Sequence, residues 1–144
     1  MPPLYVIATP IGVTSDISQR AIETLKKCTA IIGEDHKMTS KLLKFSGVLQ
    51  KEIYVLNEHT KPKDLEELID LAREQDVALV SDCGTPGFCD PGADLVRLCR
   101  RQYIKVQSIP GASSLMAFLS ICGHRLDHFL FRGFLPAENE QRIK

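Results

Sequence analysis

The chain lacks several features that would assign it to a class at once. Its 144 residues include no tryptophan, and its five cysteines form no CxxC pair, so neither a disulfide framework nor a zinc site is indicated. No apolar run approaches the ~18 residues of a membrane span, and the first residues lack the charged flank and cleavage site of a signal peptide. These absences predict a cytoplasmic protein with reduced thiols and no membrane segment.

Neither sign of charge is in excess. Eighteen basic and eighteen acidic residues give a formal net charge of zero, so no global field draws the chain to nucleic acid or to an anionic membrane. A local basic stretch is present at Arg97, Arg100, Arg101 and Lys105. Such a stretch is able to contact an RNA backbone, although it is more often a solvated helix face.

The sequence does contain a regular alternation of short apolar runs and amphipathic segments. The apolar runs predict strands at residues 4–8, 30–33, 52–56, 77–80 and 105–109. The segments between them predict helices, two of them capped by Asp16 and Asp64, and a mostly apolar, well-buried helix follows at 112–122. This alternation predicts an α/β fold with a mainly parallel five-stranded sheet and helices on both faces.

A further apolar run at residues 129–136 predicts one more strand, followed only by a polar tail. A strand with nothing after it to cover it indicates a larger architecture. We therefore expect an N-terminal α/β domain over residues 1–123, and a linker with the first strand of a truncated second domain over residues 124–144.

Two loops rich in glycine and proline follow the fourth and fifth predicted strands. Their sequences are SDCGTPGFCDPG at 81–92 and PG at 110–111. Glycine lets a backbone approach a ligand closely, and proline stiffens the loop. Because ligands of open α/β sheets bind outside the carboxyl ends of the strands, the loops predict a ligand floor. A phosphate-binding function is disfavoured, since the GxxxxGK[ST] and GxGxxG patterns are absent.

Several further segments stand in a fixed order with the two glycine-rich loops. They are YVIATPIG at 5–12, Asp16-Ile17, Glu34-Asp35 with Thr39 and Leu42-Leu43, Asn57-Glu58-His59, and FRGFLP at 131–136. In order and spacing these segments resemble the tetrapyrrole methylase superfamily, and within it the ribosomal RNA small-subunit ribose 2′-O-methyltransferases. The SDxGTPGxxDPG pattern is long and irregular, which makes a chance match improbable.

The resemblance implies a methylase of two α/β domains, with S-adenosylmethionine held between them, usually as a homodimer. The implied substrate is ribosomal RNA or the 30S subunit, and full activity is expected to need the second domain. The residues that the resemblance and the loop positions assign to cofactor binding are Pro10, Gly12, Asp82, Gly84, Thr85, Pro86, Gly87, Asp90, Pro110 and Gly111.

Glu34 and Lys37 are the predicted catalytic residues. A ribose hydroxyl is a poor nucleophile, so a carboxylate base, or a cation that lowers the hydroxyl pKa, promotes the transfer. A plainer interpretation is that this charged loop only caps the next helix through Asp35. Members of the branch usually carry arginine where this chain has Lys37, and lysine lacks the planar fork that grips phosphate. The exact RNA substrate therefore stays open.

Two other functions also stay open. One is methylation of a corrin- or porphyrin-type small molecule, which a deep apolar cleft would favour over a basic rim. The other is a non-catalytic binding module that retains the cofactor floor. Metal binding is not expected, because the four histidines are scattered without an HxxxH spacing.

Overall fold

The computed structural model describes residues 2–88 and 90–133. It contains a five-stranded sheet, parallel throughout, in the strand order β3-β2-β4-β1-β5. The strands are β1 (Leu4–Ile7), β2 (Ala30–Gly33), β3 (Glu52–Val55), β4 (Val77–Val80) and β5 (Val106–Ile109). The helices are α1 (Gln19–Lys27), α2 (His36–Phe45), α3 (Pro62–Glu74), α4 (Gly92–Arg101) and α5 (Ser114–Ile121). The predicted α/β fold and its five strands are confirmed.

Helices cover both faces of the sheet, and this accounts for the strand sequences. The chain runs outward from β1 to β3 and then returns, so right-handed crossovers place α1 and α2 on one face and α3 and α4 on the other. Ile7, Ile31 and Val80 belong to the first of the two resulting cores, and Leu4 and Leu79 to the second. The inner strands are therefore apolar at almost every position.

Two predicted helix N-caps are wrong. Asp16 lies in a 3-10 turn, and the cap of α1 is Ser18, whose hydroxyl accepts a hydrogen bond from the Ala21 amide at 3.1 Å. Asp64 lies inside the first turn of α3, where its carboxylate accepts from the Lys61 amide at 3.4 Å. The reason is that Pro62, whose fixed φ suits a first helical position, starts that helix earlier.

Helix α5 was placed correctly by the sequence, but the prediction that it is well buried is wrong. None of its residues is buried, and Phe118 and Ile121 are 64% and 82% exposed. Its apolar composition predicts burial but does not indicate which element it packs against. Among the described residues, no element covers it. No helix of the described chain, α5 included, combines the length and apolarity needed to cross a membrane.

The predicted additional strand at 129–136 is wrong for residues 129–133, which form no regular structure. A strand needs a neighbour for its backbone hydrogen bonds, and this segment does not pair with the sheet. Instead the ring of Phe131 packs on Phe88, with the ring centroids 4.4 Å apart. Residues 134–136 lie outside the described chain, and the domain division at residue 123 stays a prediction.

The thiols of Cys28, Cys83, Cys99 and Cys122 are free, and Cys89 lies outside the described residues. Burial raises the pKa of Cys28 to about 12 and that of Cys99 to about 11. Both are therefore protonated, inert core residues at neutral pH.

Candidate functional site

The loops that follow β1, β4 and β5 meet at one edge of the sheet, because these strands are parallel neighbours. Thr9 joins the first loop to the second: its amide donates to the carbonyl of Gly84 at 2.8 Å, and its hydroxyl donates to the carbonyl of Ser81 at 3.1 Å. The Thr85 hydroxyl donates to the carbonyl of Ala112 at 3.0 Å and so joins the second loop to the third. The predicted loops thus form one connected surface.

Asp90 holds the long loop after β4 in shape. Its two carboxylate oxygens accept from the Gly87 amide at 2.9 and 2.7 Å, and one of them also accepts from the Gly92 amide at 2.8 Å. A Cβ on Gly92 would lie 2.7 Å from that carboxylate and 3.0 Å from Leu79. The loop therefore closes on itself through Asp90, and glycine at position 92 leaves room for it.

A cavity of about 290 Å³ lies between the loop after β1, the start of the loop after β4, and α2. Three predicted cofactor residues, Pro10, Gly12 and Asp82, line it. The helix contributes residues that the sequence analysis missed, namely Met38, Lys41, Leu42 and Phe45. Their i, i+3, i+4, i+7 spacing marks one face of a helix and was a readable signal.

The other predicted cofactor residues do not line this cavity. Pro86 and Gly87 line a separate groove beside α4, with a volume of about 920 Å³. Thr85 and Pro110 are exposed at the same edge of the sheet. The structure therefore divides the predicted set between two sides of the loop surface.

Gly84 and Gly111 serve the close approach of the loops to one another. Gly84 has a φ of +85°, in the left-handed region, and a Cβ there would lie 3.4 Å from Ile11. A Cβ on Gly111 would lie 3.0 Å from the Cβ of Ala8. A side chain at position 84 would be strained by the left-handed backbone, and one at position 111 would crowd Ala8.

Glu34 links the ends of β2 and β4 through Asp82, which lines the cavity, although Glu34 itself does not line it. Its side chain is partly exposed, and its carboxylate accepts from the Asp82 amide at 3.2 Å. Burial raises the pKa of Glu34, and the charges of Asp90 and Asp82 raise it further, whereas the bond from the Asp82 amide opposes them. A carboxylate with a raised pKa is a better proton acceptor than an ordinary glutamate.

Asp82 and Asp35 complete a group of carboxylates around Glu34. Burial raises the pKa of Asp82, and the charge of Asp35 adds to this, while the Asp35 amide lowers it. Asp35 itself caps α2, because its carboxylate accepts from the Met38 amide at 2.8 Å. This confirms the plainer interpretation for Asp35 and leaves Glu34 and Asp82 as the carboxylates of the site.

Lys37 is exposed on the first turn of α2 and does not line the cavity. Lys41, one turn later on the same helix, does line it. The cation that the structure brings to the cavity is therefore not the one that the sequence analysis selected. Across the described residues, no group of three or more histidine, cysteine, aspartate or glutamate side chains is placed to hold a metal ion.

Two bacterial relatives resemble almost the whole chain. It is 42% identical over 139 residues to the ribosomal RNA small subunit methyltransferase I of Synechocystis sp., covering 96% of this chain and 50% of that protein. It is 41% identical over 140 residues to the protein of the same name in Escherichia coli O157:H7, covering 96% and 49%. The chain thus spans about half the length of these curated relatives.

Solved structures show the same fold at lower identity. The uroporphyrin III C-methyl transferase of Thermus thermophilus superposes with a TM-score of 0.63 at 21% identity, covering 80% of this chain and 51% of that one. A diphthine synthase superposes with a TM-score of 0.62 at 22% identity, covering 83% and 48%. The profile described as Tetrapyrrole (Corrin/Porphyrin) Methylases matches residues 3–142. The resemblance seen in the sequence is confirmed, and the chain belongs to the tetrapyrrole (corrin/porphyrin) methylase family.

Proposed function

We propose that this chain supplies the N-terminal domain of an S-adenosylmethionine-dependent methyltransferase that methylates a ribose 2′-OH of small-subunit ribosomal RNA. The observation that carries the chemistry is the Glu34–Asp82 link beside the cavity at the carboxyl edge of the sheet. The names of the relatives support the choice of RNA as substrate.

The residues present fit the cofactor. S-adenosylmethionine carries a sulfonium and an ammonium group, and it supplies an electrophilic methyl group when bound. Asp82, exposed just after β4, offers a carboxylate to a cationic part of such a ligand. Pro10 and Gly12 supply the wall of the cavity opposite α2, and the two loops that contain Gly84 and Gly111 form the adjoining backbone surface.

Glu34 has the role of general base in this proposal. Methyl transfer to a hydroxyl oxygen forms an O–C bond, breaks the bond between the methyl carbon and the sulfonium sulfur of the donor, and releases the hydroxyl proton, so a nearby proton acceptor lowers the barrier. The Asp82 amide fixes the Glu34 carboxylate through one oxygen and leaves the second oxygen for the substrate. Lys41 lines the same cavity and is suited to a phosphate next to the ribose, with Lys37 as an outer cation.

The proposal extends beyond the described residues in three ways. The second half of the cleft is assigned to a second domain, in keeping with relatives about twice as long as this chain. The active form is a homodimer, as the resemblance implies. The protein acts in the cytoplasm, where ribosomal subunits are found.

A methyl-transfer assay tests the proposal. The chain alone, and the chain joined to the second half of the Synechocystis sp. relative, are incubated with methyl-tritiated S-adenosylmethionine and undermethylated 30S subunits. We expect the joined protein to produce a labelled 2′-O-methylnucleoside and the chain alone to bind the cofactor weakly in calorimetry. Glu34→Gln in the joined protein should slow the transfer by about 100-fold or more.

Two controls distinguish the ways in which the proposed function could fail this assay. Lys44→Gln alters an exposed lysine of α2 outside the cavity, and it should leave the rate unchanged, whereas Lys41→Gln should lower it. Uroporphyrinogen serves as the alternative acceptor. Label on the porphyrinogen and none on RNA would contradict the assigned substrate. Cofactor binding without transfer to either acceptor would favour a non-catalytic module.

A further inference from the structure

The groove beside α4 is separate from the cavity beside α2, and the proposed methyl transfer makes no use of it. Its volume is about 920 Å³, and its lining extends from the loop after β4 to the turn that precedes β5. We call it the α4 groove. The lining residues used in the argument below are Pro86, Gly87, Arg97, Arg100, Tyr103 and Ser108.

The floor of the α4 groove is a part of the sheet that α4 leaves uncovered. Val6 and Val106 of the sheet line the floor and are only partly buried, Val96 of α4 lies beside them, and Ser108 on the edge strand is exposed. An apolar floor with a polar rim accommodates the flat faces of rings better than it accommodates water.

The wall of the groove is basic. Arg97 and Arg100 are three residues apart on α4, so they lie on one face of the helix, and both are exposed. Asp94 pairs with Arg97 at 2.7 Å, and among the described residues no salt bridge involves Arg100. In a chain with no net charge, this face therefore attracts anions locally, and planar guanidinium groups suit phosphate oxygens.

Tyr103 presents an aromatic ring at the end of the same wall. It is 91% exposed and has a φ of +59°, a left-handed conformation that a bulky residue rarely adopts. The turn is the usual helix-ending motif: the Tyr103 amide donates to the Arg100 carbonyl at 3.2 Å, and the Ile104 amide donates to the Cys99 carbonyl at 2.9 Å. Glycine is the common residue at this position, so stability of the fold alone would favour glycine over Tyr103.

We propose that the α4 groove binds a single-stranded stretch of the RNA substrate that flanks the methylated nucleotide. Arginines that contact the backbone and an exposed ring on which a base stacks are the combination that recognises single-stranded nucleic acid. The groove begins at Pro86 and Gly87, on the loop that also carries Asp82, so the strand continues outward from the site. This inference rests on the proposed RNA methylation and adds the place where the RNA is held.

A single strand fits the groove better than a duplex does. The bases of a duplex are stacked inside it and do not reach Tyr103, whereas unpaired bases do. The two exposed arginines along the wall suit the phosphates of such a strand. Because tyrosine and arginine are also common at protein interfaces, a protein partner is one of the outcomes that the test distinguishes.

Fluorescence anisotropy of a fluorescein-labelled, mixed-sequence oligoribonucleotide of about ten nucleotides tests the groove with the full chain. Tyr103→Gly removes the ring and keeps the left-handed turn, so the variant should fold at least as stably as the wild type. We expect it to weaken RNA binding roughly 5- to 100-fold, and Tyr103→Phe to remain within about twofold of the wild type. Melting temperatures of both variants verify the fold.

The charge contribution is tested in the same assay at several salt concentrations. The double variant Arg97→Gln and Arg100→Gln should reduce the salt slope of the binding constant by about 1.4, or about 0.7 for each lost phosphate contact. The matched control, Lys44→Gln and Lys63→Gln, removes two exposed charges on α2 and α3 outside the groove and should leave the slope unchanged.

The possible failures are distinguishable. Unchanged RNA affinity in Tyr103→Gly and in the arginine double variant overturns the groove proposal, even if ribose methylation proceeds. A changed sedimentation coefficient in these variants, with RNA affinity unchanged, identifies the groove as a protein interface and also overturns it. Absence of methyl transfer to RNA by the joined protein with wild-type sequence overturns the proposed function, whatever the groove binds.

Discussion

Glu34 shows how a single side chain connects two strands and also acquires its chemistry. It follows β2 directly, and its carboxylate accepts a hydrogen bond from the Asp82 amide, just after the end of β4. Burial at this position, together with the charges of Asp90 and Asp82, disfavours its charged form and so raises its pKa. The position of Glu34 therefore accounts both for its hydrogen bond to the loop after β4 and for its raised pKa.

The raised pKa of Glu34 gives stability a pH dependence. Because the folded state holds the proton more tightly than the unfolded state, the carboxylate costs stability as pH rises above about 4.5, the ordinary value for glutamate. Glu34→Gln removes this cost and keeps an acceptor for the Asp82 amide. We expect the melting temperature of the variant, relative to the wild type, to increase between pH 4.5 and pH 7.5.

Thermal unfolding of both proteins across this pH range measures the difference. Glu66→Gln, on the exposed side of α3, is the control and should show the same difference at every pH. A constant difference for Glu34→Gln as well would mean that the Glu34 pKa is not raised.

At the scale of residues, the sequence identified types of group better than their positions. Asp82 was predicted for the site, and it lines the cavity. Lys37 was selected for its closeness to Glu34 in sequence, but Lys41 lines the cavity instead, because the direction of a side chain depends on the helix that carries it. Capping failed in the same way at Asp16, where Ser18 stands closer to the free amides of α1.

At the scale of elements, the loop after β4 depends on one residue. Asp90 accepts three hydrogen bonds from the amides of Gly87 and Gly92, which lie at the two ends of the turn before α4. Asp90→Ala leaves partly buried amides without these partners. We expect the free energy of unfolding to fall by about 1–3 kcal/mol, measured by urea denaturation.

Asp94→Ala is the matched control for Asp90→Ala. Asp94 is exposed and only pairs with Arg97 on the surface of α4, so the loss should be below about 1 kcal/mol. Equal losses for both variants would show that Asp90 does not hold the loop.

The three inner strands β1, β2 and β4 were predictable because each is a short apolar run bounded by turn residues, and burial on both faces leaves few alternatives. Residues 129–133 have a similar composition but do not pair with the sheet. An apolar composition indicates that a segment is buried. Whether a neighbouring strand is available to pair with that segment depends on the fold.

At the scale of the whole molecule, opposite charges are separated on a chain whose net charge is zero. Carboxylates collect around Asp82 at the edge of the cavity, where Glu34 and Asp35 lie next to it, and arginines collect along α4, at Arg97 and Arg100. This arrangement suits the proposed reaction, since a cationic cofactor and an anionic RNA strand are attracted to different sides of one loop surface.

The exposed apolar surface of α5 is the largest departure of the molecule from what its composition predicts. Met116, Phe118 and Ile121 are all more than half exposed, so they contribute little to the core. Phe118→Gln with Ile121→Gln should leave the free energy of unfolding within about 0.5 kcal/mol of the wild type. The fluorescence of a dye that binds apolar surface should fall, because the patch has become polar.

Val13→Gln, which changes an exposed side chain outside α5, is the control and should leave the dye signal unchanged. A marked loss of stability in the double variant would mean that α5 packs against the rest of the chain in solution, and the described exposure of Phe118 and Ile121 would then be wrong.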